Sequence, residues 1–91
     1  MEETNKKIKR VDLEIHEGNY NRRVKYGNVD FDILIVSLKD KNVIRYFCIS
    51  KEFLPETDSV HLKYNPSNKS VSWSPQNIIP HVVELTNNNC Q

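Results

Sequence analysis

The longest β-type run of apolar residues lies between Val29 and Ser50, VDFDILIVSLKDKNVIRYFCIS, and the turn signals around it predict how it folds. Val, Ile and Phe dominate Val29–Leu38 with no Gly or Pro, which suits a pleated, half-buried strand. Asp40-Lys41-Asn42 reads as a turn, and Val43–Ser50 resumes the β pattern. Asn tolerates a left-handed backbone, so Asn42 is placed at the left-handed position of a three-residue loop. That loop sets Ile35 opposite Phe47 and Ile33 opposite Ile49, on one face with Phe31 and Val29. A two-residue loop would slip the pairing by one residue and send these partners to opposite faces.

Upstream, Gly27-Asn28 sits between two β runs, the signal for a two-residue type II′ hairpin. Such a turn pairs Tyr26 with Val29, Lys25 with Asp30, Val24 with Phe31 and Arg23 with Asp32. Opposite charges then meet on one face and apolar residues on the other. The two turns together predict a meander of Arg22–Tyr26, Val29–Leu38 and Val43–Ser50. Its second face would carry Leu34, Val36 and Leu38 beside Ile44, Tyr46 and Cys48. Strands that are apolar on both faces are usually covered on both.

Shorter alternations flank this unit. Val11, Leu13 and Ile15 alternate with Asp12 and Glu14 as a first strand. Lys51–Ser59 breaks the pattern, with Phe53 and Leu54 placed to plug one end of the core and Pro55 ending any helical turn. Val60, Leu62 and Tyr64 alternate with His61 and Lys63, and Val71 and Trp73 alternate with serines. Between them Asn65–Lys69 is dense in turn residues, so these two runs form a second hairpin. A turn at Pro75 leads through Ile78-Ile79 and Pro80 to a last strand, His81–Thr86.

These segments predict one all-β domain over residues 1–91, with 1–7 and 87–91 as frayed tails. Its architecture is read as a small SH3-like barrel or a compact sandwich of about six or seven short antiparallel strands. The Pro-bearing turn before the last strand resembles the end of an SH3-like barrel over a short stretch. The acidic and aromatic ligand-binding signature of that family is absent, so the resemblance implies no function.

Composition narrows the functional classes. The chain of 91 residues carries a net charge of +1 and contains no alanine, the best helix former. Abundant Asn, Lys and Ile point to an AT-rich coding sequence, as in a low-GC bacterium or a virus. MEETNKKIKR is charged and is followed by no apolar export segment, and no run is long enough to span a membrane. A cytoplasmic protein is therefore expected, with Cys48 and Cys90 as free thiols.

His16, His61, His81, Cys48 and Cys90 show no close metal-ligand spacing, so no metal site is expected. There is no nucleophile elbow, P-loop or Gly-rich cradle, and so neither an enzyme nor a cofactor site is expected.

Two binding readings follow. The leading one is a non-enzymatic protein that acts by contact with another protein, or with a second copy of itself. A phage- or virus-encoded regulator or inhibitor of a host protein fits this size. Its contact residues would be Val36, Leu38, Ile44 and Tyr46, joined by Tyr20 and Arg22 at an edge. The alternative is a single-stranded nucleic-acid-binding module that uses Lys7, Lys9, Arg10, Tyr20 and Arg22. Against it stand the low net charge and the expected pairing of Arg23 and Lys25 with acidic partners.

Overall fold

A computed structural model describes residues 6–27 and 30–85, so sequence readings at 1–5, Asn28, Val29 and 86–91 lie outside the described residues. The alternating segments become strands β1 (Ile8–Glu14), β2 (Asn21–Lys25), β3 (Ile33–Asp40), β4 (Val43–Ser50), β5 (Ser59–Asn65), β6 (Ser70–Ser74) and β7 (Val82–Leu85). They form a four-stranded sheet in the order β1-β3-β4-β7 and a three-stranded sheet in the order β2-β5-β6. The all-β expectation holds, as two facing sheets rather than a closed barrel.

One core fills the space between the sheets. Val11 and Leu13 of β1, Leu34, Val36 and Leu38 of β3, and Phe47 and Ile49 of β4 come from one side. Val24 of β2, Val60, Leu62 and Tyr64 of β5, and Val71 and Trp73 of β6 come from the other. Phe47 meets Trp73 edge-on at 5.6 Å, joining the sheets by an aromatic contact that is favourable in this geometry. The Val60/Leu62/Tyr64 and Val71/Trp73 alternations are legible in the sequence because a half-buried strand has a strict two-residue period. The turn between them also matches the expectation. Asn65 and Asn68 each accept a backbone N–H two residues on, from Ser67 and Ser70.

Two short 3₁₀ helices meet at one end. Lys51–Phe53 follows β4, and Gln76–His81 buries Ile78 before β7. Phe53 stacks on His81 at 3.7 Å between ring centroids, tying one helix to the other. Leu54 packs against the core at this end, as expected.

The central meander does not form. β2 pairs with β5, setting Val24 opposite Val60, and β3 pairs in parallel with β1 instead of lying antiparallel to β2. Parallel neighbours need a crossover between them. Here β2, lying in the opposite sheet, supplies it. After β2 the chain passes from one sheet to the other: the Tyr26 and Gly27 N–H groups donate to Asp58, and those of Asp32 and Ile33 donate to Lys7.

Lys25 therefore does not face Asp30, which binds the Lys7 ammonium at 2.7 Å instead. This hydrogen-bonded ion pair raises the Lys7 pKa and lowers that of Asp30. Val24, Tyr26 and Phe31 nevertheless share the core, with Tyr26 and Phe31 edge-on at 5.9 Å.

Gly27 is the pivot of the passage, with φ of +68° and open space where a Cβ would lie. Substitution there meets a backbone penalty and no clash. We expect Gly27→Ala to lower stability by about 1–2 kcal/mol, read as a shift in the urea midpoint at unchanged slope.

The β3–β4 register also differs from the expectation. Asp40 pairs with Val43, leaving a two-residue loop in which Lys41, not Asn42, takes the left-handed backbone at φ 58°. Ile35 thus lies opposite Cys48, Val36 opposite Phe47, and Leu34 opposite Ile49. The one-residue slip exchanges the two faces of β3. Leu34, Val36 and Leu38 go to the core, while Ile33 and Ile35 join Tyr46 and Cys48 on the outer face.

Candidate functional site

The outer face of the four-stranded sheet is apolar in its middle. Ile33, Cys48 and Leu85 form a small buried cluster, with Ile35 and Tyr46 packed against it. Around the cluster, Ile8 of β1, Ile44 of β4 and Val83 of β7 remain exposed, at 58%, 46% and 57%. Every strand of this sheet contributes an outward apolar residue. The register makes that unavoidable, because β3 and β4 have apolar residues at both odd and even positions.

Beside Tyr46 the face dips into a shallow groove of about 310 Å³ lined by Arg10, Asp12, Leu13, Glu14, Ser37, Lys39, Ile44 and Tyr46. The Arg10 guanidinium sits 5.7 Å from the centre of the Tyr46 ring, within cation–π range. Its Nε donates to Asp12 at 3.0 Å, and this hydrogen bond raises the Arg10 pKa. The groove therefore has an apolar floor at Tyr46 and Ile44 and a rim of both charge signs. Apolar centres with polar rims characterise protein–protein contact surfaces.

Of the residues expected to contact a partner, Ile44 and Tyr46 lie in this groove. Val36 and Leu38 do not: both are core residues, 0% and 1% exposed, because of the register slip. Ile8 and Val83 belong to the face although sequence reasoning missed them. The signal for Ile8 is its two-residue spacing from Arg10 and Asp12, which puts all three on one side of β1.

Tyr20 and Arg22 lie outside this groove, on the side of the β3–β4 turn. Tyr20 leans on Tyr64, with 6.4 Å between ring centroids, and its carbonyl accepts the Tyr64 N–H. Arg22 points between the sheets, where Nη1 donates to the Glu14 carbonyl and ties β2 to β1. Nearby is an open cleft of about 550 Å³ bordered by Tyr20, Asp40, Lys41, Arg45, Tyr64 and Lys69 among others.

Arg45 closes one side of this cleft. Its Nε and Nη2 bind both Glu84 carboxylate oxygens at 2.7 and 2.9 Å, and Nη1 donates to the Lys69 carbonyl at 2.6 Å. The paired hydrogen bonds raise the Arg45 pKa and lower that of Glu84. Arg45 is thereby committed to holding β4, β7 and the β5–β6 loop together.

The residues named for single-stranded nucleic acid are not brought together. Lys7 is paired with Asp30 at the start of β1, and Arg10 with Asp12 on the outer face. Lys9 is half-buried on the inner edge of β1, and Arg22 lies beyond that strand's far end. Seven residues of β1 separate these ends, roughly 23 Å at the usual rise per residue.

Among the described residues no group of three metal-ligating side chains gathers, and no helix is long and apolar enough to cross a membrane. Cys48 is disulfide-bonded, which corrects the free-thiol reading. Cys90, the other cysteine of the chain, lies outside the described residues. No family model, curated protein or solved structure matches this chain.

Proposed function

We propose that the protein acts without chemistry of its own, by docking a protein partner on the outer face of its four-stranded sheet. The observation that carries this reading is the ring of exposed Ile8, Ile44 and Val83 around the buried Ile33–Cys48–Leu85 cluster. Exposed apolar patches on a folded domain mark interfaces, and these three exposed residues lie on one face of the sheet. The Tyr46–Ile44 groove offers an anchor point, and Arg10, Asp12, Glu14 and Lys39 supply a charged rim that would select orientation. A regulator or inhibitor that works by occupying its partner needs no more than this.

The test compares the native chain with Ile44→Asp and Val83→Asp, two exposed positions where a charge leaves the fold intact. A protein captured in stoichiometric amount from the source cells by the native chain, and lost with both variants, is the expected result. Sedimentation of the purified protein separates a heterologous partner from a second copy. Capture that survives both substitutions removes this face from the function.

A further inference from the structure

The two sheets differ sharply in charge. The four-stranded sheet holds Lys9, Arg10, Lys39 and Arg45 against Asp12, Glu14, Asp40 and Glu84, four of each sign. The three-stranded sheet holds Arg22, Arg23, Lys25 and Lys63 and not one acidic residue. Arg22 is turned inward, but the other three point outward and are exposed.

Strand register gathers them. Asn21 lies opposite Lys63 and Lys63 opposite Ser72; Arg23 lies opposite His61 and His61 opposite Ser74; Lys25 lies opposite Ser59. Arg23 Nε donates to Ser59 Oγ at 3.0 Å, which orients the guanidinium along the face. The acidic partners expected for Arg23 and Lys25 are elsewhere. Asp30 is held by Lys7, and Asp32 accepts the Lys7 backbone N–H at 2.9 Å. Asp58, just before β5, lies at the Lys25 end of the face, where its carbonyl accepts the Tyr26 and Gly27 N–H groups.

We propose that this face binds the phosphate backbone of nucleic acid without reading its sequence. Its outward side chains are Asn, Arg, Lys, Ser and His, the types that donate hydrogen bonds to phosphate oxygens. An acidic protein partner fits less well, because a protein interface needs an apolar or aromatic centre and this face presents none. Trp73, the aromatic of β6, is buried in the core, so no base can stack on it. The site is distinct from the docking face proposed above, lies on the opposite side of the sandwich, and stands or falls independently of it.

The test is fluorescence anisotropy of a labelled DNA duplex of about 20 base pairs, titrated with the full chain. Three neutralised phosphates give a slope of about −2.7 in log K against log salt, so affinity falls roughly forty-fold between about 50 and about 200 mM salt. Replacing Arg23, Lys25 and Lys63 together with Gln abolishes binding, while each single replacement reduces the slope by about one. Removing the charge at Lys41 and Lys69 leaves the slope unchanged. Emission from the buried Trp73 checks that each variant is folded. No binding by the native chain at about 50 mM salt, or equal binding by the Arg23/Lys25/Lys63 variant, overturns the proposal. Equally effective competition by poly-glutamate overturns the assignment to phosphate.

Discussion

Leu34→Ala is expected to lower the unfolding free energy by about 3–5 kcal/mol, whereas Ile35→Ala, one residue on, is expected to cost about 1–2 kcal/mol. Leu34 is fully buried opposite Ile49, between the two sheets, where the space left by truncation cannot collapse without moving a neighbouring strand. Ile35 is half-buried on the outer face, against the small Ile33–Cys48–Leu85 cluster, and water can fill what it vacates. Small domains hold about 5–15 kcal/mol of stability, so the first substitution removes about a fifth of it or more. Urea unfolding followed by Trp73 fluorescence measures both. A three-residue β3–β4 loop would exchange the two costs, so the same pair of variants checks the register that determines which residues the outer face displays.

The second large effect concerns Tyr64, whose hydroxyl donates to Asp40 Oδ2 at 2.6 Å beneath the cleft at the Tyr20 end. Removing the hydroxyl in Tyr64→Phe forfeits a hydrogen bond to a carboxylate. The expected cost is about 1.5 kcal/mol, at the low end for such bonds because the cleft admits water.

The same bond has a pH signature. Hydrogen bonding to Asp40, then burial, raises the Tyr64 pKa above its ordinary value of 10.0. Burial likewise raises that of Tyr26. A group whose pKa is higher folded than unfolded contributes its stability fully below the unfolded value. That contribution is lost as pH climbs through the folded value. Both tyrosines therefore favour the folded state up to pH 10.0 and withdraw that support above it. Denaturant midpoints should fall more steeply above that pH in the native chain than in Tyr64→Phe. Parallel declines in the two proteins would show that the Tyr64–Asp40 bond carries no linkage.

Much of the chain is legible from its residues alone, and the legible parts share a property. The β5 and β6 alternations, the Asn-rich turn between them, the Leu54 plug and the turn leading from Pro75 through Ile78 all depend on neighbours close in sequence. The expected meander fails where the information is not local. Gly27 does take the positive φ that a hairpin turn would need, but so does a glycine where a strand leaves one sheet for the other. Lys25 and Asp30 look like partners only if the turn makes them neighbours. With Lys25 opposite Ser59, the acidic cover for Arg23 and Lys25 disappears and a cationic face is left in its place.

By itself the sequence determined that this chain forms strands, roughly where each begins and ends, and that its central segments are apolar on both faces. Two-residue periodicity and turn chemistry are written into neighbouring residues, so they survive any arrangement of the strands. Only the tertiary structure decided which strand lies beside which, and whether odd or even positions of β3 look inward. Those choices are made by packing between segments far apart in the chain. A one-residue difference in a single loop is enough to move Val36 and Leu38 from a supposed contact surface into the core.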